Sequence, residues 1–139
     1  MFLGEFYHSV DGKGRLAIPA RFRSKIEHGA VLTRGIDPCL LVYPAEVWEQ
    51  KARELDVIVT DPAKRHKIER RFFGMAFEVE LDAQGRIIVP AKFRTYAALN
   101  GDAMVIGARD RFELWSPQRW EAYTDEMASE DLSALALPF

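Results

Sequence analysis

Apolar and polar residues alternate in two short stretches of the chain. Phe6, His8 and Val10 alternate with Glu5, Tyr7 and Ser9, and Phe77, Val79 and Leu81 alternate with Glu78 and Glu80. A period of two sends successive side chains to opposite faces, so each stretch predicts a half-buried strand. Each runs into an Asp-x-x-Gly turn, where aspartate bonds to nearby backbone and glycine accepts positive φ. A second short strand follows at 15–18 and 86–89, rich in branched residues. Pro19 and Pro90 end it, because proline has no ladder donor and suits the first turn of a helix. The next residues, Ala-Arg-Phe-Arg and Ala-Lys-Phe-Arg, read as short helices with one buried Phe each. Apolar runs at 30–33 and 40–43, and at 103–106 and 112–115, predict two further strands per copy. Closing helices are expected at 44–55, with Trp48, Ala52 and Leu55 on one face, and after the Ser116-Pro117 cap, with Trp120, Tyr123 and Met127 at helical spacing.

The parallel wording is an internal repeat. Residues 11–23 read DGKGRLAIPARFR and residues 82–94 read DAQGRIIVPAKFR. With one inserted residue the match continues through Gly29 and Gly101, Gly35 and Gly107, Tyr43 and Trp115, and Trp48-Glu49 and Trp120-Glu121. The expected organisation is a first module at 1–60, a linking basic helix at 61–74, a second module at 75–128 and an acidic flexible tail at 129–139. Asp61-Pro62 caps the linking helix, Gly74 ends it, and Ile68 and Phe72 are placed inward. Each module is small for a core of its own, so the two are expected to cover each other as a pseudo-dimer.

Composition narrows the class. A hydrophobic fraction of 48% in 139 residues argues for a packed protein. No apolar run approaches the roughly 18 residues of a membrane span. Residues 1–5 lack a basic segment with a long apolar stretch behind it, so no secretory signal is read there. Cys39 is the single cysteine, which fits a cytoplasmic location. The formal net charge is −2, so any attraction to nucleic acid has to be local. Lys13, Arg15, Arg21, Arg23 and Lys25 occur with no acid among them, and Lys64, Arg65, Lys67, Arg70 and Arg71 are interrupted only by Glu69. The acids Glu121, Asp125, Glu126, Glu130 and Asp131 gather near the end.

The doubled motif Asp-x-x-Gly-Arg-[Leu/Ile]-x-[Ile/Val]-Pro-Ala-x-Phe-Arg resembles that of the MraZ family, as do Phe2-Leu3-Gly4-Glu5-Phe6 and Arg70-Arg71-Phe72-Phe73-Gly74. The resemblance implies a mainly β fold with peripheral helices, made of two tandem AbrB-like modules of the swapped-hairpin, double-split β-barrel kind. It further implies a sequence-specific transcriptional regulator of the division and cell-wall gene cluster. Such a protein would sit on the nucleoid and bind repeated promoter boxes in double-stranded DNA as a ring-shaped homo-oligomer. Phe2, Leu3 and Phe6 are candidate surfaces for that assembly. One departure is Ala83-Gln84 in place of Gly12-Lys13, which makes the second turn less basic.

The expected DNA contacts are Lys13, Arg15, Gln84 and Arg86 on the turns and Arg21, Arg23, Lys92 and Arg94 on the adjoining helices. Asp11, Gly14, Asp82 and Gly85 are expected to structure the loops. A glycine-rich tip lets backbone approach phosphate, and arginine pairs with guanine in a major groove that admits a two-stranded ribbon. The bland alternatives are that Asp11–Arg15 and Asp82–Arg86 are turn-stabilising ion pairs, and that the helix cations are a solvated face. The 61–74 cations read as a solvated face or a contact with an acidic neighbour, with Arg71 structural. A scaffold module whose basic turns hold an acidic, antitoxin-type protein partner is the alternative function. RNA fits less well, because the turns lack stacking aromatics. Cys39 reads as core, His8, His28 and His66 lack ligand spacing, Gly12-Lys13-Gly14 is not a phosphate loop, and Trp48 and Trp120 read as core. Neither enzyme chemistry, metal, cofactor nor small-molecule substrate is expected.

Overall fold

Eight strands and five helices account for the chain, and the computed structural model describes all 139 residues. The first copy supplies β1 (Glu5–Ser9), β2 (Arg15–Ala17), α1 (Ala20–Arg23), β3 (Ala30–Arg34), β4 (Leu40–Pro44) and α2 (Ala45–Ile58). The link is α3 (Pro62–Ile68) followed by a π turn, Glu69–Phe73. The second copy supplies β5 (Phe77–Val79), β6 (Arg86–Ile88), α4 (Ala91–Ala97), β7 (Asp102–Gly107), β8 (Phe112–Trp115) and α5 (Pro117–Ala128). Residues 129–139 are exposed throughout and hold one 3-10 turn, Ser133–Leu135.

The copies exchange strands. A six-stranded antiparallel sheet runs β1-β7-β8-β4-β3-β5, and β2 pairs with β6 in a separate two-stranded ribbon. Each copy keeps its β3–β4 or β7–β8 hairpin, but its first strand lies on the other copy's hairpin. Exchanging the two copies leaves the sheet order unchanged, which makes it a pseudo-two-fold. The dyad passes Leu41 opposite Glu113 in the sheet and Leu16 opposite Ile87 in the ribbon. This is the expected mainly β, AbrB-like swapped-hairpin arrangement.

Pairing registers correct one detail of the repeat. Phe6 faces Val105 while Phe77 faces Leu32, so β7 matches β3 with Gly107 at the place of Arg34, not Gly35. The β3–β4 loop is one residue longer than its counterpart, which shifts the match.

The core lies between the sheet and the layer of ribbon plus α1 and α4. Leu16, Ile18, Ile87 and Val89 from the ribbon side meet Leu32, Leu40, Val42, Val105, Phe112 and Leu114 from the sheet. Phe22 and Phe93, one from each short helix, are buried as expected. The Phe22 ring lies 5.0 Å from Phe2, 5.4 Å from Phe6 and 5.6 Å from Phe112. Phe2 therefore belongs to the interior rather than to an association surface, whereas Phe6 is half-buried against the same core and Leu3 stays open. Burying a ring of this size contributes about 1.5–3 kcal/mol.

Helices α2 and α5 cover the opposite face of the sheet. Trp115 packs against Trp120 and Tyr123, and Trp48 packs between Tyr43 and Phe73. Trp48 and Trp120 are thus half-buried packing residues. Beneath the helices Glu113 accepts from Arg111 at 2.8 Å and from Trp115 Nε1 at 3.0 Å, while Lys51 pairs with Asp110 at 3.0 Å. In the link, Asp61 caps α3 through the Ala63 amide, and the Thr33 hydroxyl donates to the Phe72 carbonyl.

Candidate nucleic-acid interface

Both Asp-x-x-Gly turns fold alike, and the aspartate is the organiser of each. Asp11 Oδ1 accepts from the amides of Lys13 (3.0 Å) and Arg15 (2.9 Å), while Arg15 Nε donates to Oδ2. Asp82 repeats this with the amides of Gln84 (2.8 Å) and Arg86 (2.9 Å) and with Arg86 Nε at 2.9 Å. The Arg15 amide above all, then its guanidinium and the Lys13 amide, hold the Asp11 carboxyl below the usual aspartate value. Arg86 and the Gln84 amide lower Asp82 in the same order. Both carboxylates are therefore ionised and committed to the loop, and they orient the arginines.

Gly14 (φ +83) and Gly85 (φ +74) close the turns in the left-handed region that favours glycine. Each then enters the other copy: Val89 N–H donates to the Gly14 carbonyl at 2.8 Å, and Ile18 N–H to the Gly85 carbonyl at 3.0 Å. The approach leaves no room for a side chain. A Cβ on Gly14 would strike the Val89 carbonyl and lie 3.1 Å from Arg94 Nε, and one on Gly85 would lie 2.6 Å from Arg23 Cζ.

That packing fixes Arg23 and Arg94. Arg23 Nε donates to the Ile18 carbonyl at 2.9 Å, and Arg94 Nε to the Val89 carbonyl at 3.0 Å. Each guanidinium is braced over the opposite copy's glycine, so neither belongs to a merely solvated helix face. Sequence reasoning placed these residues near the turns without showing the brace. The only signal available was that each stands five residues after the last branched residue of its strand.

Ribbon geometry aims the remaining groups. Leu16 and Ile87 are buried on the dyad, so their neighbours Arg15, Ala17, Arg86 and Ile88 stand on the outer face. Arg15 and Arg86 are half-buried, tied at Nε, and their terminal amino groups have no protein partner. Lys13 and Gln84 are exposed on the tips, and Arg21 and Lys92 are exposed on α1 and α4. The fold thus brings the Arg15 and Arg86 turns to one ribbon, braced by Arg23 and Arg94, with Arg21 and Lys92 on the helices that follow. The result is a small cationic surface with preset donors on a protein of net charge −2.

Elsewhere, Lys64, Lys67, Arg70 and Arg71 are exposed on α3 and its π turn, and Arg71 lies 5.3 Å from the Phe72 ring. Burial, aided by the charges of Glu113 and Asp37, pushes the Cys39 thiol up to about 12. No group of three or more His, Cys, Asp or Glu side chains is arranged to hold a metal ion, and no helix is long and apolar enough to cross a membrane.

Strand exchange about a pseudo-dyad, with paired Asp-x-x-Gly-Arg tips, defines a tandem protein of the AbrB-like swapped-hairpin class. A family model described as "MraZ protein, putative antitoxin-like" matches residues 1–69 and 72–136. The "Transcriptional regulator MraZ" of Thermomicrobium roseum is 46% identical over 131 residues, covering 94% of this chain and 92% of its own. That of Roseiflexus castenholzii is 45% identical over 121 residues, covering 87% and 85%. That of Lactiplantibacillus plantarum is 40% identical over the full length of both. The chain belongs to the MraZ family, which is not an enzyme family.

Proposed function

We propose that this chain is a transcriptional regulator that binds double-stranded promoter DNA through the outer face of the β2–β6 ribbon and its two tips. The observation that carries this reading is the pair of arginines, Arg15 and Arg86. Both are held outward by aspartates across a pseudo-two-fold, with their terminal donors unspent. A two-stranded ribbon fits the major groove, and a guanidinium with free amino groups donates to guanine O6 and N7. Lys13, Gln84, Arg21 and Lys92 stand where phosphates would flank such a ribbon, and Arg23 and Arg94 serve from beneath by bracing the tips.

One ribbon carries few charges, so affinity comes from several chains on one duplex. In a ring-shaped homo-oligomer the ribbons would meet repeated boxes at fixed spacing, gaining about 10² to 10⁴ over a single contact. By family, the boxes would lie in the promoter of the division and cell-wall gene cluster, on the nucleoid in the cytoplasm.

A fluorescence-anisotropy titration of the chain on duplex DNA from its own upstream region tests the reading. Affinity should fall steeply with salt, because each phosphate contact releases counterions. Arg15→Ala with Arg86→Ala should abolish preference for the promoter over random duplex. Unchanged preference in the double variant removes the ribbon from recognition. The antitoxin-like description of the family supports a second reading, in which the tips hold an acidic protein. A pull-down that retains such a partner, without promoter affinity, would favour it.

A further inference from the structure

The outer face of the ribbon is not symmetric. The pseudo-dyad through Leu16 and Ile87 exchanges Arg15 with Arg86, and both copies keep the arginine. It also exchanges Ala17 with Ile88, and there they differ. Ile88 is 56% exposed, although it is a branched apolar residue in a strand, and its direct cross-strand partner is Arg15. Side chains so paired have Cβ atoms about 4.5–5.5 Å apart. An Arg15 guanidinium set on one base therefore leaves Ile88 at the neighbouring base step. The one apolar feature a major groove offers there is the C5-methyl of thymine.

We infer that Ile88 is a specificity-determining residue that reads a thymine methyl beside the base pair met by Arg15; this rests on the duplex reading above. The stiffness of its β-branched side chain means that little rotamer freedom is lost on contact. Ala17, half-buried and lacking any side chain beyond Cβ, does not reach equally far beside Arg86. On the other side of Ile88 lies a shallow groove lined by Phe77, Glu78, Val79 and Glu80. The chain thus reads its two half-sites unequally, with thymine sensed next to one arginine only.

The test uses the full-length protein and a duplex it selects from a random pool, made once with thymine and once with deoxyuridine. That exchange removes the methyl and keeps the pairing. Wild type should bind the uracil duplex about fourfold more weakly for each methyl contacted. Ile88→Ala should lose about that factor on the thymine duplex and match wild type on the uracil duplex. Arg15→Ala should lose equally on both. Wild-type binding that ignores the exchange, or an Ile88→Ala loss of equal size on both duplexes, overturns the assignment. So does an Ile88→Ala protein whose mass by light scattering falls, because Ile88 would then lie between copies. If the wild-type chain selects no duplex at all, the DNA reading itself fails, which is a different result.

Discussion

Replacing Gly14 by alanine tests whether the tips are held by the opposite copy, and Gly12→Ala is its control two residues away. Gly14 sits at φ +83, where an L-residue costs about 1–2 kcal/mol. The new methyl would also meet the Val89 carbonyl, which is backbone and cannot swing aside. Moving it strains two hydrogen bonds, Val89 N–H to the Gly14 carbonyl and Arg94 Nε to the Val89 carbonyl. Each contributes about 0.5–1.5 kcal/mol. The sum is about 2–5 kcal/mol, or a fall in Tm of roughly 5–15 °C for a chain of this size. Gly12 has nothing within 4 Å of a built Cβ and no positive φ, so its alanine variant should melt close to wild type. Differential scanning calorimetry at one protein concentration makes the comparison, since association raises apparent stability. If Gly14→Ala melts within about 2 °C of Gly12→Ala, the exchanged packing of the tip is wrong.

Phe22→Ala should cost about 3–5 kcal/mol in chemical denaturation, because Phe2, Phe6 and Phe112 all close on that ring; a cost below about 1 kcal/mol would deny the aromatic cluster. Asp11 and Asp82 have folded values below the unfolded one, so their contribution is present above the ordinary aspartate value and is lost as pH falls through the lowered values. Carboxyl-carbon NMR titration should place both midpoints below 3.8, and midpoints at or above it would mean the turns do not hold their carboxylates. Cys39 should resist a thiol reagent in the native protein at pH 8 and react only on unfolding; prompt labelling would contradict its burial.

The elements themselves were largely legible in the chain, because each rests on local chemistry. Alternation marked β1, Asp-x-x-Gly marked the turns, Pro19 and Pro90 marked the strand ends, and Ser116-Pro117 marked the start of α5. What the residues could not reveal is partnership. Periodicity says which face of a strand is buried and is silent on which strand lies beside it, so the pairing of β1 with β7 emerges only in three dimensions. The same gap explains Phe2. The family resemblance offered it as a surface for assembly, yet a bridge to Arg109 folds it under the sheet against Phe22. Phe77 fails the other way. Alternation placed it inward, but the ring, 6.4 Å from Phe93, stays 45% exposed. For the candidate site, the turns and their arginines were readable from the repeated motif, whereas the bracing by Arg23 and Arg94 depended on the exchange.

Two identical chains related by a true two-fold must carry every substitution twice. Here both halves of the dyad belong to a single polypeptide, so a change enters one side alone. Lys13 became free to differ from Gln84, and Ala17 from Ile88, without unsettling the Leu16–Ile87 axis they share. Dilution also cannot separate the halves, since the link through α3 makes their meeting intramolecular. A tandem chain thus lets a symmetric scaffold carry an asymmetric outer face.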